Sequence, residues 1–242
     1  MNREFFPLYA FLSCAALFTA TEMIRPARWI SYRAVIKDDL IALALYELLF
    51  FPASIAVTQM LIRPHHLPKA IMELPFLIRL GLFYVVADFG TYWLHRLMHT
   101  KFVWRIHKWH HSPTYMYWLA GIRATLPQQI LFNLPFALCW PFLKLAPSWA
   151  LLFVLFENFF RNDWMHMNVT WRSNWLEWVL VTPRYHHIHH SDDPSHYKAN
   201  LGSLLTIWDR MFGTYVNPEE VKKEVTFGMG EQVSPIRLIL GF

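Results

Sequence analysis

A histidine-rich stretch at residues 95–111, HRLMHTKFVWRIHKWHH, constrains this 242-residue chain more than any other feature. Residues three and four positions apart share one face of a helix. The five histidines of the stretch follow that spacing, so each group of them can direct its imidazoles at a single point. The groups are His95 with His99, and His107 with His110 and His111.

A second histidine block, PRYHHIHH at 183–190, repeats the spacing of zero, three and four with His186, His189 and His190. Imidazoles buried in such numbers without partners would be costly, and they would repel one another if they were protonated together. A bound metal resolves both problems, because neutral imidazole is the commonest metal ligand in proteins. The rest of the chain is then scaffold, membrane anchor or wall for this metal site.

The number of histidines indicates two adjacent metal ions rather than one. A structural zinc site uses about four ligands, and a catalytic zinc keeps about three together with a water molecule. Nitrogen ligands suit iron, copper, nickel and zinc alike, so the ligand type leaves the element open. A redox-active pair beside a membrane can activate dioxygen against an inert C–H bond, whereas zinc is limited to hydrolysis or hydration.

The composition is typical of a membrane protein. Hydrophobic residues make up 55% of the chain and charged residues 16%, against roughly 25% charged residues in ordinary soluble domains. The net charge of +5 comes from basic residues that lie beside apolar runs, which predicts a membrane surface and no nucleic acid as the partner. Cys14 and Cys139 lie in separate apolar runs, which argues against a disulfide or a sulfur-ligated metal.

Five apolar runs approach the length of about 20 residues that a helix needs to cross a bilayer. They predict an all-α, integral-membrane helical bundle with about 4–5 membrane segments. We interpret the first run as an uncleaved anchor rather than a signal peptide, and the last two as a membrane hairpin. The runs are 5–24, 40–62, 71–94, 124–145 and 148–166.

Basic residues predict the orientation of these segments, because cytoplasmic loops are enriched in lysine and arginine. The loop 25–37 and the aromatic region 100–123, which is too polar to span, are both basic and are therefore expected on the cytoplasmic side. All the histidine groups then converge on one cytoplasmic face as a metal-binding cap. A bacterial inner membrane is favoured over the endoplasmic reticulum.

The chain divides into three predicted parts, and an interfacial helix is expected near 201–212. The parts are N-terminal membrane anchor helices at 1–70, a catalytic domain at 71–215 and a C-terminal tail at 216–242.

Further motifs surround the histidine groups and occur in a fixed order. His166-Met-Asn168 forms a small H-x-N element, Asn200-Leu-Gly202 forms N-x-G, and residues 208–215 read WDRMFGTY. Together with one H-x(3)-H box and two H-x-x-H-H boxes, they make residues from about 88 to 215 resemble the fatty acid hydroxylase/sterol desaturase superfamily. Members of that superfamily are integral-membrane, non-haem diiron oxygenases.

The resemblance implies two iron ions, dioxygen as co-substrate, and hydroxylation or desaturation of a C–H bond in a lipid such as a sterol or a fatty acyl chain. The sequence contains no G-x-G-x-x-G dinucleotide loop, so a separate reductase, ferredoxin or small haem protein is expected to donate electrons. The implied metal ligands are His95, His99, His107, His110, His111, His166, His186, His189 and His190.

The arrangement around these ligands leaves several points open. Residues 95–111 are expected to form one wall of the site, with His166 and the block 186–190 forming the other. His187 is expected to point away, because neighbours on a helix diverge by about 100°. A supporting role for His196 stays open.

Polar neighbours of the histidines also have alternative interpretations. Asn168, Asp163 or a water molecule is expected to complete the coordination near His166. Asp88 lies two turns before His95, where it either orients a ligand imidazole or forms an ion pair with Arg79 or a neighbouring helix.

Other classes of protein explain the motifs less well. A membrane zinc hydrolase would need a base placed among its ligands, as in H-E-x-x-H, which is absent from the sequence. A non-enzymatic haem protein would place single histidines on separate helices. A metal transporter would carry polar residues along several spans.

Overall fold

The computed structural model describes residues 6–62, 67–145, 153 and 157–242. The described residues form helices, turns and loops with isolated bridges and no β-strand, which confirms the all-α prediction for them. The α-helices are α1 (Phe6–Ile24), α2 (Tyr32–Leu61), α3 (Lys69–Met72), α4 (Phe76–Met98), α5 (Trp104–His107), α6 (Leu126–Cys139), α7 (Trp164–His166), α8 (Pro183–His189), α9 (Ile207–Phe212) and α10 (Pro235–Leu240).

Shorter helical pieces join these elements. The middle of α2 is a π-helical turn, Tyr46–Phe50, and a second π-helix, Asn158–Asp163, leads directly into α7. The 3₁₀-helices are Trp118–Ile122, Trp140–Phe142, Leu176–Trp178 and Pro194–His196.

Two helices are long and apolar enough to cross a membrane, namely α2 with 30 residues and α4 with 23. At a rise of about 1.5 Å per residue, they reach about 45 Å and 34 Å, against roughly 30 Å for the hydrocarbon core of a bilayer. Large apolar side chains on α2 are exposed, including Leu48 at 81% and Met60 at 83%, as expected where a helix faces lipid.

The other predicted membrane segments are not confirmed as spans. Helix α1 coincides with the first apolar run. Helix α6 has only 14 residues, or about 21 Å, which is too short to cross a bilayer unaided. Residues 148–152 and 154–156 of the run 148–166 fall outside the described ranges, so the hairpin stays a prediction. His65 and His66 also lie outside the described ranges.

Proline and threonine residues fix where the histidine-bearing helices begin. Thr182 caps α8, since its hydroxyl accepts a hydrogen bond from the Tyr185 amide, and Pro183 follows at the first position, where no amide hydrogen is needed. Helix α4 follows Pro75 and ends at Met98. His99 then closes its last turn, with its amide donating to the His95 carbonyl at 3.2 Å.

The second histidine box does not lie on a continuous helix as its spacing predicts. Helix α5 has only four residues and ends at His107, and residues 108–111 continue as turns. The His110 amide still donates to the His107 carbonyl at 3.0 Å, so the chain stays tightly wound. The three imidazoles remain neighbours, although they are no longer aligned along one helical face.

The N-terminal helix is tied to the histidine region by one buried carboxylate. Glu22 on α1 is fully buried and accepts hydrogen bonds from the Trp118 amide at 2.8 Å and the Asn168 amide at 2.7 Å. Asn168 follows directly after α7, which carries His166. Residues 116–120 and 167–169 also share an apolar core with side chains of α1 and α2. The N-terminal helices therefore support the site by direct contact.

A second buried carboxylate, Asp39 on α2, is paired with Arg123. The Arg123 Nε lies 2.5 Å from Asp39 Oδ1, and the Tyr117 hydroxyl also donates to this carboxylate. The side chain of Asp39 is 1% exposed and that of Arg123 is 12% exposed. Burying both charges is tolerated because they are paired and hydrogen-bonded.

We expect the Arg123→Met variant to unfold more easily than the wild type. Its apolar side chain leaves the Asp39 carboxylate buried without a counter-charge, a change that costs about 3–5 kcal/mol in typical proteins. Denaturant or thermal unfolding in detergent micelles measures the loss. The control is Asp38→Asn on the exposed face of the same helix, which should change stability by less than about 0.5 kcal/mol. Equal stability of the two variants would contradict the assigned role.

Candidate metal centre

Nine buried histidines lie together in two groups. Within each group, one ring nitrogen from each histidine lies within 4.8 Å of those of the others. The five-histidine group comprises His95, His99, His107, His111 and His189, and the four-histidine group comprises His110, His166, His186 and His190. These nine are the same residues that the sequence motifs single out, and no carboxylate belongs to either group.

The four-histidine group contains a triangle of Nε2 atoms. His166 and His186 are separated by 3.1 Å, His186 and His190 by 3.0 Å, and His166 and His190 by 3.2 Å. Metal–nitrogen bonds of about 2.0–2.1 Å that meet at octahedral or tetrahedral angles separate neighbouring nitrogens by about 2.8–3.4 Å. The triangle therefore has the dimensions of one face of a coordination polyhedron.

The five-histidine group has the same spacing between some of its members. The Nε2 atom of His107 lies 3.1 Å from that of His95 and 3.2 Å from that of His111. His99 has no hydrogen-bond partner on either ring nitrogen among the described residues, and His189 has none on Nε2. Buried polar atoms without partners are rare in folded proteins, and each needs an explanation.

Backbone carbonyls set the tautomer of four of these imidazoles. A carbonyl oxygen can only accept, so each Nδ1 carries the proton and donates it, which leaves the Nε2 lone pair free to bind a metal. His95 donates to Leu201 at 2.7 Å and His189 to Ala199 at 2.9 Å. His166 donates to Asn162 at 2.6 Å and His110 to Arg123 at 3.2 Å.

The imidazoles are held in their neutral form. Burial, reinforced by neighbouring histidines, lowers the pKa of His107, His111 and His190 well below the ordinary value of a histidine. His166 and His95 carry their protons on Nδ1, so the Nε2 atom of each offers a lone pair within its short Nε2 contacts. A metal ion among these nitrogens would bind such lone pairs, so the donor set fits metal binding.

The two groups divide the motifs differently from the two-wall arrangement expected from the sequence. The second box contributes His107 and His111 to the five-histidine group but His110 to the other. The third box contributes His189 to the five-histidine group, and His186 and His190 to the other. The rings of His111 and His190 stack across the boundary with centroids 4.4 Å apart. Each H-x-x-H-H box therefore joins the two groups instead of serving one of them.

The segment 199–205 carries two of the orienting carbonyls and is held by Asp209. The Asp209 carboxylate accepts from the amides of Leu201 and Gly202 at 2.7 and 2.8 Å, and from the hydroxyls of Tyr185 and Thr214 at 2.9 and 2.6 Å. Asp209 therefore positions the Leu201 carbonyl that orients His95. This contact gives the aspartate of the WDRMFGTY motif its structural role.

Asp88 holds the other end of the same segment. Its carboxylate accepts from the amides of Leu204 and Leu205 at 3.0 and 2.9 Å, and from Nε1 of Trp208 at 2.8 Å. No hydrogen bond joins it to a ligand imidazole or to Arg79, which donates to backbone carbonyls instead. Its contact with a neighbouring helix is the hydrogen bond from Trp208 of α9.

Gly121 is a site residue that the sequence motifs do not reveal. It lies in the 3₁₀-helix Trp118–Ile122 directly against the ring of His166. A Cβ atom at this position would lie 2.7 Å from both Cγ and Cε1 of His166, closer than packed atoms approach one another. Only glycine lets the His166 ring keep its place in the Nε2 triangle.

The remaining polar residues near the site lie outside both groups. The His187 ring packs against Phe227 with centroids 5.6 Å apart, and its Nδ1 lies 3.5 Å from Arg28. His196 ends a 3₁₀-helix and also belongs to neither group. The side chain of Asn168 is hydrogen-bonded to the backbone of Arg28: its Oδ1 accepts from the Arg28 amide at 2.9 Å, and its Nδ2 donates to the Arg28 carbonyl at 2.7 Å.

A small cavity of about 70 Å³ adjoins both histidine groups. His95 of the five-histidine group and His166 of the four-histidine group both line it. Apolar side chains such as Phe132 and Met165 share its wall with the polar side chains of Gln128 and others. The cavity therefore gives access to both groups from one side.

The chain belongs to the fatty acid hydroxylase family, whose sequence profile matches residues 80–214. This match confirms the resemblance drawn from the histidine boxes and includes all nine clustered histidines. No solved structure gives a significant match to the chain.

Several relatives are named as lipid oxidoreductases. An alkylglycerol monooxygenase of Xenopus tropicalis is 34% identical over 152 residues, which are 61% of this chain and 32% of the relative. An ornithine lipid hydroxylase of Rhizobium tropici is 34% identical over 59% of the chain and 43% of the relative. A delta(7)-sterol 5(6)-desaturase of Schizosaccharomyces pombe is 27% identical over 68% of the chain and 52% of the relative. The chain thus spans about a third to a half of the length of these relatives.

We expect Gly121→Ala to lower the metal content of the purified protein. The added methyl group displaces His166 and opens the Nε2 triangle, so the four-histidine group should bind metal at least about 10-fold more weakly, as when the surroundings of a ligand are disturbed. Elemental analysis per chain measures the change. Gly81→Ala in α4, where nothing lies within 4 Å of the added carbon, is the matched control. An unchanged metal content in Gly121→Ala would contradict the prediction.

We expect Asp209→Asn to weaken metal binding at the five-histidine group. An amide nitrogen in place of one carboxylate oxygen faces hydrogen-bond donors, so segment 199–205 shifts and the Leu201 carbonyl no longer fixes His95. The loss in affinity should be about 10- to 100-fold, typical of residues that orient metal ligands. Metal titration followed by elemental analysis measures the affinity. Asp192→Asn, at an exposed position, should keep the wild-type equilibrium affinity, and equal losses in the two variants would refute the assignment.

Proposed function

We propose that this protein is a membrane-bound, non-haem diiron oxygenase that hydroxylates or desaturates a C–H bond of a lipid. The observation that carries the proposal is the pair of neighbouring imidazole groups, with four and five members and their lone pairs turned inward. Membership of the fatty acid hydroxylase family supports it, as do relatives named as lipid monooxygenases, hydroxylases and desaturases.

The nine clustered histidines would hold two iron ions, one in each group. When bound, the iron pair would supply the chemistry of dioxygen activation, which these side chains cannot perform by themselves. The histidines would hold the metals and set their potential rather than act as acids or bases. The carbonyls of Leu201, Ala199, Asn162 and Arg123 would keep the imidazoles in the binding tautomer.

The chain's own contribution to catalysis is to place the substrate and to limit water. The cavity beside His95 and His166 has room for only a few atoms, because about 70 Å³ compares with a share of about 30 Å³ per molecule in liquid water. Phe132, whose ring lies 5.5 Å from that of His95, makes the approach to the metals apolar. A reacting C–H group held there would be shielded from bulk solvent.

The substrate is proposed to be a lipid that reaches the cavity from the bilayer. Helix α4, a candidate span, carries His95 in its last turn, so the histidine groups would lie at one membrane boundary. We assign that boundary to the cytoplasmic face from the distribution of basic residues, and favour a bacterial inner membrane. A separate protein would supply the electrons.

A zinc hydrolase accounts less well for these features. Such a site uses about three ligands and a water activated by a nearby base. Here nine imidazoles gather in two groups that contain no carboxylate. The donor set supports a pair of redox metals more strongly than a single hydrolytic one.

We expect protein that is purified with about two iron ions per chain to convert a host lipid only when dioxygen and a reductant are present. Expression in a lipid-producing host, with mass spectrometry of the lipid extract under air and under nitrogen, identifies the product. Loading with zinc alone should give none, because zinc does not change its oxidation state. Dioxygen-independent turnover by the zinc form would refute the proposal.

Alanine substitutions of two neighbouring buried histidines, one inside a group and one outside, test which histidines bind iron. His190→Ala removes one vertex of the Nε2 triangle and should reduce both iron content and product formation, the latter by at least about 100-fold. His187→Ala removes a neighbouring buried histidine that belongs to neither group, and it should retain iron. Equal iron contents in the two variants would contradict the ligand assignment.

A further inference from the structure

A second cavity, which shares no described lining residue with the first, also reaches the histidines. Its volume is about 430 Å³, and His99, His111 and His189 line it. All three belong to the five-histidine group. The two cavities therefore approach the metal centre separately, and only the first contacts both groups.

The second cavity has an acidic mouth. Asp192, Asp193 and Glu231 line it, and its described lining contains no lysine or arginine. Asp192 lies exposed at the surface, and the side chain of Glu231 is 52% exposed although Lys108 pairs with it at 2.7 Å. Such a concentration of carboxylates stands out in a chain whose net charge is +5. Clefts lined by one sign of charge attract ions of the opposite sign and raise their rate of binding.

The inner end of this cavity consists of histidine nitrogens without partners. His99 is 1% exposed, and neither of its ring nitrogens has a hydrogen-bond partner among the described residues. The rings of Trp104 and Tyr197 flank it, with centroids 5.2 and 5.3 Å from that of His99. Nε2 of His189 is likewise without a partner. A cation that passes the carboxylates thus meets free imidazole lone pairs.

We propose that the acidic cavity is the path by which aqueous Fe²⁺ reaches the five-histidine group, with His99 as the first imidazole that the ion meets. This inference rests on the proposed function, since it assumes that the five-histidine group binds iron. The ion exchanges bound water for neutral imidazole nitrogens, and no electron is transferred. At about 30 Å³ per water molecule, 430 Å³ accommodates an ion with its hydration shell.

The position of the cavity fits an aqueous path. His99 follows the last residue of α4, so the cavity lies beyond the C-terminal end of that candidate span. Its mouth is formed by residues near 192 and 231, which lie outside both candidate spans. The small cavity beside Phe132 instead adjoins α4 and α6. A lipid and an ion would therefore reach the metal centre by different paths.

The carboxylates at the mouth guide the ion without becoming its permanent ligands. Asp192 accepts from the Thr226 hydroxyl at 2.7 Å, and Asp193 accepts from the amide and hydroxyl of Ser195 at 2.9 and 2.7 Å. Neither aspartate belongs to a histidine group. Each is thus held in place by its own neighbours, and its charge remains available to attract a cation.

The double variant Asp192→Asn/Asp193→Asn tests the path. Asparagine keeps an oxygen that accepts from Thr226 and Ser195, so the variant removes charge and leaves the fold unchanged. The full-length protein in detergent is stripped of metal, mixed with Fe²⁺ without oxygen, and quenched with a chelator at intervals before iron per chain is measured. We expect the initial rate of uptake to fall about three- to tenfold at low ionic strength, with the same final iron content.

Salt dependence and a second pair of charges make the test specific. Added salt should slow uptake by the wild type and change the rate of the variant little, because exposed charges are screened. The control, Glu73→Gln/Glu220→Gln, removes the same charge at exposed positions that line neither cavity. It should load at the wild-type rate.

Three outcomes would overturn the proposal, and they are distinguished by the rate of iron uptake, the final iron content and the behaviour of the wild type. A double variant that loads at the wild-type rate with the wild-type salt dependence excludes the path. A lower final iron content at an unchanged rate makes the aspartates part of the binding site and also excludes it. A wild-type protein that takes up no iron refutes both this path and the proposed function.

Discussion

The inward-turned lone pairs of nine neutral imidazoles are the constraint on which the rest of the structure depends. Burial keeps the rings uncharged, and the backbone carbonyls fix the tautomer of four of them. The Nε2 atoms of the triangle lie 3.0–3.2 Å apart, which is the spacing of nitrogens around a shared metal ion. The protein must therefore hold each ring in place for the nitrogens to keep this spacing. Rigid support around the groups follows from that requirement.

Buried carboxylates supply that support at a distance from the metal sites. Asp209 and Asp88 fix segment 199–205, while Glu22 fixes the residues beside Trp118 and Asn168. Arg123 connects this support directly to a clustered histidine, because its side chain pairs with Asp39 while its carbonyl orients His110. None of these residues belongs to a histidine group. Asp209, Asp88 and Arg123 fix backbone whose carbonyls orient imidazoles, and Glu22 fixes the backbone two residues after His166. Carboxylates in this protein thus act as acceptors for backbone amides rather than as metal ligands, which leaves the donor set entirely nitrogen.

Spacing singled out eight of the clustered histidines, and the family resemblance added His166, but neither predicted how the nine divide into two groups. Spacing of three and four residues assumes a helix, which holds for His186 and His189 on α8. In both H-x-x-H-H boxes the histidines at positions zero and four share one group and the histidine at position three joins the other, although only the third box lies on a helix. The role of Gly121 could not be predicted from the sequence either, because a single glycine forms no repeating pattern. Its importance comes from the His166 ring that packs against it. Asp88 was recognised as important, although its partners are amides more than 100 residues away.

Two separate cavities resolve a conflict built into a metal centre at a membrane boundary. An apolar substrate needs a dry approach, whereas a metal ion needs a wet and negatively charged one. In the proposed function, the cavity beside Phe132 would serve the first need, and the cavity lined by Asp192, Asp193 and Glu231 would serve the second. His99 and His95 lie one helical turn apart on the same helix end, yet they line different cavities. The H-x(3)-H box at the end of a candidate span thus separates the two cavities, because its first histidine lines the small cavity beside Phe132 and its second lines the acidic one.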